Sequence, residues 1–213
     1  FIEQDKKDES YKFIFQNSEA KLFIQGNFEN VIFEFNRKFD HQKEKFKEAR
    51  YDKNLLTGCV NFFDTSFKNV KIKSSNMICE DSVNIKNSSG EISKIEIENS
   101  YFDALDLDFS QIKIKEIIIN SAKNDCIDLS FGEYEIINTN LKNCGDKGFS
   151  VGERSKLNLK NASISHSNIG IASKDDALTN VSKVIIENIN ICLAAYNKKR
   201  EFKGSKINVD NLN

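Results

Sequence analysis

Seven short segments recur along this chain at an almost constant interval. Their middle residues, Asn61, Asn84, Asp106, Asp128, Ser150, Ala172 and Ala194, step by 23 and then five times by 22. A small residue precedes each segment: Cys59, Ser82, Ala104, Cys126, Gly148, Gly170 and Cys192. A second column runs through Asn76, Asn99, Asn120 and Asn143, skips a rung near Ser165, and resumes at Asn188 and Asn211, an average step of 22.5. Two columns that keep one period over seven units define a repeat architecture, in which each unit buries its apolar face only against its neighbours.

The contents of a unit decide which repeat it is. Runs such as Ser93-Lys94-Ile95-Glu96-Ile97 and Lys156-Leu157-Asn158-Leu159 alternate at period two, one face in and one face out. A helix of ten residues fits into none of the units. Coils of about 22 residues made only of strands predict an all-β chain, a right-handed parallel β-helix solenoid of about seven coils. A leucine-rich repeat is the alternative, since Ile95, Ile97 and Asn99 imitate its strand, but Leu is scarce and a second strand occupies the helix's place. Asn tolerates left-handed backbone and bonds nearby main chain, so the Asn column predicts a ladder of amides at a coil corner. The chain contains no Pro, which would delete a ladder N–H in every rung it entered.

Two segments follow from this: residues 1–55, irregular opening coils with a charged helix or loop as cap, and residues 56–213, the β-helix. The opening strands are read at residues 12–15, 21–24 and 31–35, and the cap at residues 37–54, where Phe39 and Phe46 stand seven apart. Solenoid ends need caps because an open end exposes unpaired edges. Lys+Arg total 31 against Asp+Glu 32, a net charge of −1, which excludes a strongly basic nucleic-acid binder and a polybasic membrane patch. No apolar run approaches the ~20 residues that span a bilayer. The chain opens at Phe1 without a signal-like stretch, and is read as a processed or excised piece.

The runs LTGCVNFF at 56–63, EDSVNI at 80–85, DALDLDF at 103–109, NDCIDL at 124–129, GDKGFSVGE at 145–153, NIGIASKD at 168–175 and AAYNKK at 194–199 follow in order. This series resembles the right-handed parallel β-helix domain of bacterial surface proteins, often found beside CotH-type modules, and more broadly the pectin-lyase-like superfamily. The resemblance implies the fold and a cell-surface or extracellular setting. It supplies no catalytic residues: kinase, pectate-lyase and polygalacturonase signatures are absent.

Chemistry concentrates in one stripe. Asp81, Asp103 and Asp125 step by 22, and Asn84, Asp106 and Asp128 form a parallel column three residues on, with Asp108 beside them. Adjacent rungs lie about 4.8 Å apart, and inward Leu105, Leu107, Ile127 and Leu129 turn Asp106 and Asp128 outward. Carboxylates this close repel, so one holds a proton or a cation sits between them. Asp103, Asp106, Asp125 and Asp128 are therefore candidate ligands of Ca²⁺, the one cofactor considered. Asp106, Asp128 and Lys174 are the candidate catalytic set, as a carboxyl pair and a base. Further along, the columns continue to Lys147, Lys174 and Tyr196. Asp103, Asp106, Asp125, Asp128, Lys147, Lys174 and Tyr196 make one polar stripe suited to a polysaccharide, with Tyr196 as a stacking ring. The plainer reading makes the carboxylates solvated residues and pairs Lys147 and Lys174 with Asp125 or Asp175.

His41 and His166 lie in different columns, and no zinc spacing exists. Cys126 and Cys192 share a column but stand three rungs apart, about 14 Å by the rung spacing, as do Cys79 and Cys144 in similar corners. A disulfide needs Cα atoms within about 7 Å, so five free, buried thiols are expected, which argues mildly against export. Three functions stay open: a binding or scaffold module that recognises polysaccharide, a polysaccharide lyase or glycosidase, and a structural or partner-binding solenoid.

Overall fold

The computed structural model describes residues 9–17, 19–38 and 53–210. Among the described residues, thirteen strands, all paired in parallel, stack into a β-solenoid of about eight turns. They are β1 (Glu9–Phe15), β2 (Leu22–Glu29), β3 (Val31–Arg37), β4 (Gly58–Ser75), β5 (Asp81–Lys86), β6 (Ser89–Ser100) and β7 (Asp103–Asp108). Then follow β8 (Gln111–Ala122), β9 (Ile127–Ser130), β10 (Glu133–Gly152), β11 (Lys156–Lys174), β12 (Leu178–Tyr196) and β13 (Lys206–Val209).

Each coil has three faces. The first carries β5, β7, β9 and the last residues of β10, β11 and β12; the register runs Asn61, Asn84, Asp106, Asp128, Ser150, Ala172, Ala194, as the repeat predicts. Its inward residues Val60, Phe62, Val83, Ile85, Leu105, Leu107, Ile127, Leu129, Phe149 and Val151 have no accessible surface. Ile112, Ile114, Ile136 and Leu157 fill the core from the second face, and Ile95, Ile97, Ile117 and Ile119 from the third. Burying one such side chain stabilises by about 1.5–3 kcal/mol. Alternation of these with Lys and Glu explains why the faces neither collapse nor slip: a one-residue shift would turn every Ile outward.

Corners use left-handed backbone. Asn76, Asn99, Ser121, Asn143, His166 and Asn188 all have φ between 55° and 70°. Asn99 donates to the Asn76 amide oxygen at 3.0 Å, and Asn143 to that of Asn120 at 3.0 Å. The Asn ladder therefore exists, with two adjustments. The left-handed residue beside Asn120 is Ser121, and His166, rather than Ser165, fills the rung that lacks Asn. His41 and most of the expected cap, including Phe39 and Phe46, lie outside the described residues. The opening coil is more regular than expected: β2 pairs with β4 on the first two faces and β3 pairs with β4 on the third. Rings of Phe28, Phe33, Phe35, Phe62 and Phe67 meet edge-on or stacked at 5.1–6.2 Å and make this end of the core aromatic.

The cysteine expectation is overturned. Cys59 is bonded to Cys79 and Cys126 to Cys144, each with Cα atoms 5.3 Å apart, while Cys192 is free and exposed rather than buried. Cysteines in equivalent corners do stand three rungs apart. The bridges instead join opposite ends of one corner on adjacent rungs, at separations of 20 and 18 residues, slightly less than one period. The neighbouring rungs hold the same pair in other forms: Ser82 donates to Ser100 at 2.7 Å, and Ala104 and Ala122 are both buried. Thiol titration of the denatured, unreduced protein is expected to count one group, Cys192, of five cysteines. A count of three or five removes one or both bridges.

Candidate ligand-binding groove

The outward side of the first face forms a groove. At its N-terminal half a cavity of about 460 Å³ has Asn61, Asn84, Asp106 and Asp128 along its floor, with Asp108 and Ser130 beside them. Phe23, half exposed, packs against Phe63 at 6.0 Å between ring centres and walls one end together with Leu55. Floor residues are fixed by the ladder. Asn61 accepts from the Gly58 amide at 3.0 Å and donates to the Leu22 carbonyl at 3.1 Å, and Asn84 donates to Asp106 at 2.8 Å.

Asp106 and Asp128 are lateral neighbours on adjacent rungs and half-buried. Other stripe residues are placed differently from the expectation of an outward row. Asp103, Asp125, Lys147 and Lys174 are buried. Asp103 accepts from the Asp125 amide and the Asn124 side chain, both at 2.7 Å, and Asp125 accepts from the Lys147 amide at 3.0 Å. Asp103 and Asp125 thus seal a corner by bonding the next rung's backbone. Lys147 completes it, reaching Asp125 at 3.2 Å and also bonding Asp146. Pairing with Asp125 is the plain reading made for Lys147, and it holds.

Lys174 departs from that reading. It bypasses Asp175 and runs back over Gly152 to the Ser150 hydroxyl at 2.6 Å and to Asp128 at 3.7 Å. A Cβ on Gly152 would stand 2.8 Å from the Lys174 Cε, so the glycine makes room for the stem. Tyr196 is one rung beyond Lys174 and half-buried. The structure therefore brings Asp106, Asp128 and Lys174 to one floor, sets Tyr196 at its far end, and puts Asp103, Asp125 and Lys147 behind it.

Burial raises most of these carboxyls. Asp103 is pushed up to about 8 by burial and by the charges of Asp125 and Asp81. Asp81 rises to about 7, again through burial first, opposed by a hydrogen bond with Thr57. Asp106 is raised well above the carboxylate range by burial and then by Asp81 and Asp108. Burial also raises Asp108, against the pull of Lys86 and Asn84, and Asp125, against that of Lys147. Burial would lower Lys147, but its bonds to Asp146 and Asp125 outweigh that and raise it. Raised in this way, the carboxyls hold protons more readily, which relieves their mutual repulsion. Among the described residues, no group of three or more Asp, Glu, His or Cys side chains is placed to hold a metal ion, and Asp103 and Asp125 each spend an oxygen on a backbone amide.

Several neighbours outside the seven predicted stripe residues complete the site. Asp81 is buried, and its Oδ2 has no hydrogen-bond partner. Glu153 is buried, accepts from Ser130 at 2.6 Å and pairs with Lys199. Phe109 and Phe131 occupy left-handed corners at φ 50° and stack at 4.8 Å, with the Lys86 ammonium over the outer ring at 5.6 Å. Bulky residues rarely adopt such backbone. Their signal was a second 22-residue spacing one residue beyond Asp108 and Ser130. Comparison with known proteins returns no matching family model, no matching curated protein and no matching solved structure.

Proposed function

We propose that this chain is a carbohydrate-binding solenoid that takes a polysaccharide along the groove of its first face. The observation that carries this reading is a groove whose floor is one polar column on successive rungs, with Asp106 and Asp128 half-buried between the buried Asn61, Asn84 and Ser150, and with the exposed Phe23 ring and the partly buried Phe63 ring at one end. A linear chain of sugars presents hydroxyl donors at intervals comparable to the rung spacing of about 4.8 Å, and rings take the apolar faces of sugars. Among the described residues no helix is long and apolar enough to cross a membrane. Two disulfides fit, weakly, a chain folded outside the reducing cytosol. A bacterial surface setting and kinship with pectin-lyase-like proteins belong to the same proposal.

A glycan array probed with the purified chain tests the reading. Oligosaccharides should bind, and the double variant Asp106→Asn, Asp128→Asn should weaken binding at least tenfold with unchanged circular dichroism. Retained binding in that variant, and again after Tyr196→Ala with Lys174→Ala, removes the groove as the ligand surface and leaves a structural solenoid.

A second reading, lyase or glycosidase, is favoured by one contact, the Lys174 ammonium beside Asp128 and Ser150. It requires turnover of a bound oligosaccharide that Asp128→Asn abolishes; binding without turnover excludes it.

A further inference from the structure

The two disulfides sit in different surroundings. Cys126 and Cys144 are both buried, and among the described residues no hydrogen bond reaches either sulfur. The Cys59–Cys79 bridge has one sealed end and one open end. Cys59 has no accessible surface, whereas Cys79 is half-buried and lies in the corner between β4 and β5, outside both strands. Cys79 itself takes part in no strand pairing, so this end of the bridge can be attacked without breaking the ladder.

A buried cation stands behind the sealed end. Arg37, the last residue of β3, is 3% exposed, and its guanidinium donates to the Cys59 Sγ at 3.6 Å. It also donates to the Asn17 carbonyl and, at 3.3 Å, to the Ala20 carbonyl, and the Phe15 ring centre lies 5.1 Å from its Cζ. The turn and the ring fix where the guanidinium points, and it points at the sulfur. A disulfide sulfur is a weak acceptor and gains little from such a donor. A thiolate at the same place gains a charge-assisted hydrogen bond in a site away from water. Arg beside a cysteine lowers its pKa, and a sulfur that is a better thiolate leaves faster in disulfide exchange. At the Cys126–Cys144 bridge a departing thiolate is buried with no such donor, and burial alone opposes it.

We propose that Cys59–Cys79 is a thiol-exchange site for a low-molecular-weight thiol, with Cys79 as the sulfur attacked and Cys59 as the sulfur that leaves. The incoming thiolate attacks the Cys79 Sγ. A new S–S bond forms there as the Cys59–Cys79 bond breaks, and the electron pair of the broken bond departs on Cys59, which becomes a thiolate beside Arg37. This step conserves the number of disulfides: the external thiol ends as a mixed disulfide on Cys79 and Cys59 ends reduced. A second external thiolate attacks the external sulfur of that mixed disulfide and releases Cys79 with a symmetrical external disulfide, which completes a two-electron reduction of the bridge. Cys126–Cys144 stays closed under the same conditions. The site is independent of what the groove binds.

Peptide mapping by mass spectrometry tests this. The folded, oxidised protein is incubated with millimolar reduced glutathione near neutral pH, quenched with acid, denatured and alkylated with N-ethylmaleimide. Glutathione should appear on Cys79 and the maleimide on Cys59, at least tenfold faster than any label on Cys126 or Cys144. Cys192, free at the outset, should carry the maleimide in every sample and reports recovery. A folded Arg37→Gln variant should form the Cys79 adduct about tenfold more slowly, and Arg37→Lys, which keeps a cation, should stay within about threefold of the parent. The position of attack is read in the parent, so it decides the matter even where Arg37→Gln does not fold. Glutathione on Cys59 instead of Cys79, equal rates at the two bridges, or a folded Arg37→Gln variant that exchanges as fast as the parent overturns the site.

Discussion

Raising the pH from 5 to 8.5 should lower the melting temperature of this protein by about 10 °C or more. The cause is the column of buried carboxyls. Asp81 titrates at about 7 and Asp103 at about 8 in the folded chain, against 3.8 for a free Asp. Between those values the folded state binds more protons than the unfolded one, so stability falls as pH rises. The contribution is complete below about pH 4 and gone above about pH 8. Each tenfold gain in proton affinity on folding is worth about 1.36 kcal/mol, so between pH 5 and 8.5 Asp81 loses about 3 kcal/mol and Asp103 about 4 kcal/mol as upper bounds, and a chain of this size loses about 2–4 °C per kcal/mol. Asp106, Asp108 and Asp125 are raised as well and act in the same direction. The lowered carboxyls, Glu96, Glu135, Asp146 and Glu153, act oppositely, but their effect is lost only below the ordinary carboxylate range and does not enter this window. Asp103→Asn isolates the effect. Its amide oxygen keeps the bonds from Asp125 and Asn124 and has no charge to desolvate. The variant should melt higher than the parent at pH 8.5 and show a flatter pH profile. A parent that gains stability towards pH 8.5, or an Asp103→Asn variant that melts lower there, would refute the account.

The same residues show how far the sequence could be read. Period and parity were legible: seven middle residues at near-constant step placed seven rungs of the first face, because a solenoid maps sequence distance directly onto height, while the rung of Phe23 that precedes them escaped the repeat. Which side chains stack, Asp106 on Asp128 and Gly152 under Lys174, followed from that arithmetic alone. What period two could not supply was depth at the corners. Asp103 and Asp125 stand where the chain bends, so they turn inward onto the next rung's amides. Lys174 lies on the expected column, but its reach depends on Gly152 and Ser150 leaving a channel. The cysteines escaped for a related reason. Comparing equal corners compares residues whole rungs apart, whereas a bridge needs residues just short of one period. The Ser82 and Ser100 pair, with the same spacing of 18 as Cys126 and Cys144, held that signal.

Breaking the Cys126–Cys144 bridge without disturbing its surroundings should lower the melting temperature by about 6–12 °C. The neighbouring rungs specify the substitutions. Cys126→Ala with Cys144→Ala reproduces the buried Ala104 and Ala122 pair, and Cys126→Ser with Cys144→Ser reproduces the hydrogen-bonded Ser82 and Ser100 pair. Packing and backbone are therefore accommodated by the repeat itself, and the loss is that of the cross-link. A bridge closing a loop of 18 residues restrains the unfolded chain by about 3 kcal/mol, and a chain of this length shifts about 2–4 °C per kcal/mol. In a solenoid each rung is stabilised by its neighbours, so a central bridge should also couple the two halves. The parent should unfold in one transition, and the double variants in a broader one. The serine pair should retain more stability than the alanine pair by about 1 kcal/mol, the usual net value of a hydrogen bond. Reduction of the parent under native conditions should give the same shift as the variants, plus that from the Cys59–Cys79 bridge. Variants that melt with the parent, or a non-reducing digest in which peptides bearing Cys126 and Cys144 run separately, would remove the bridge from the account of stability.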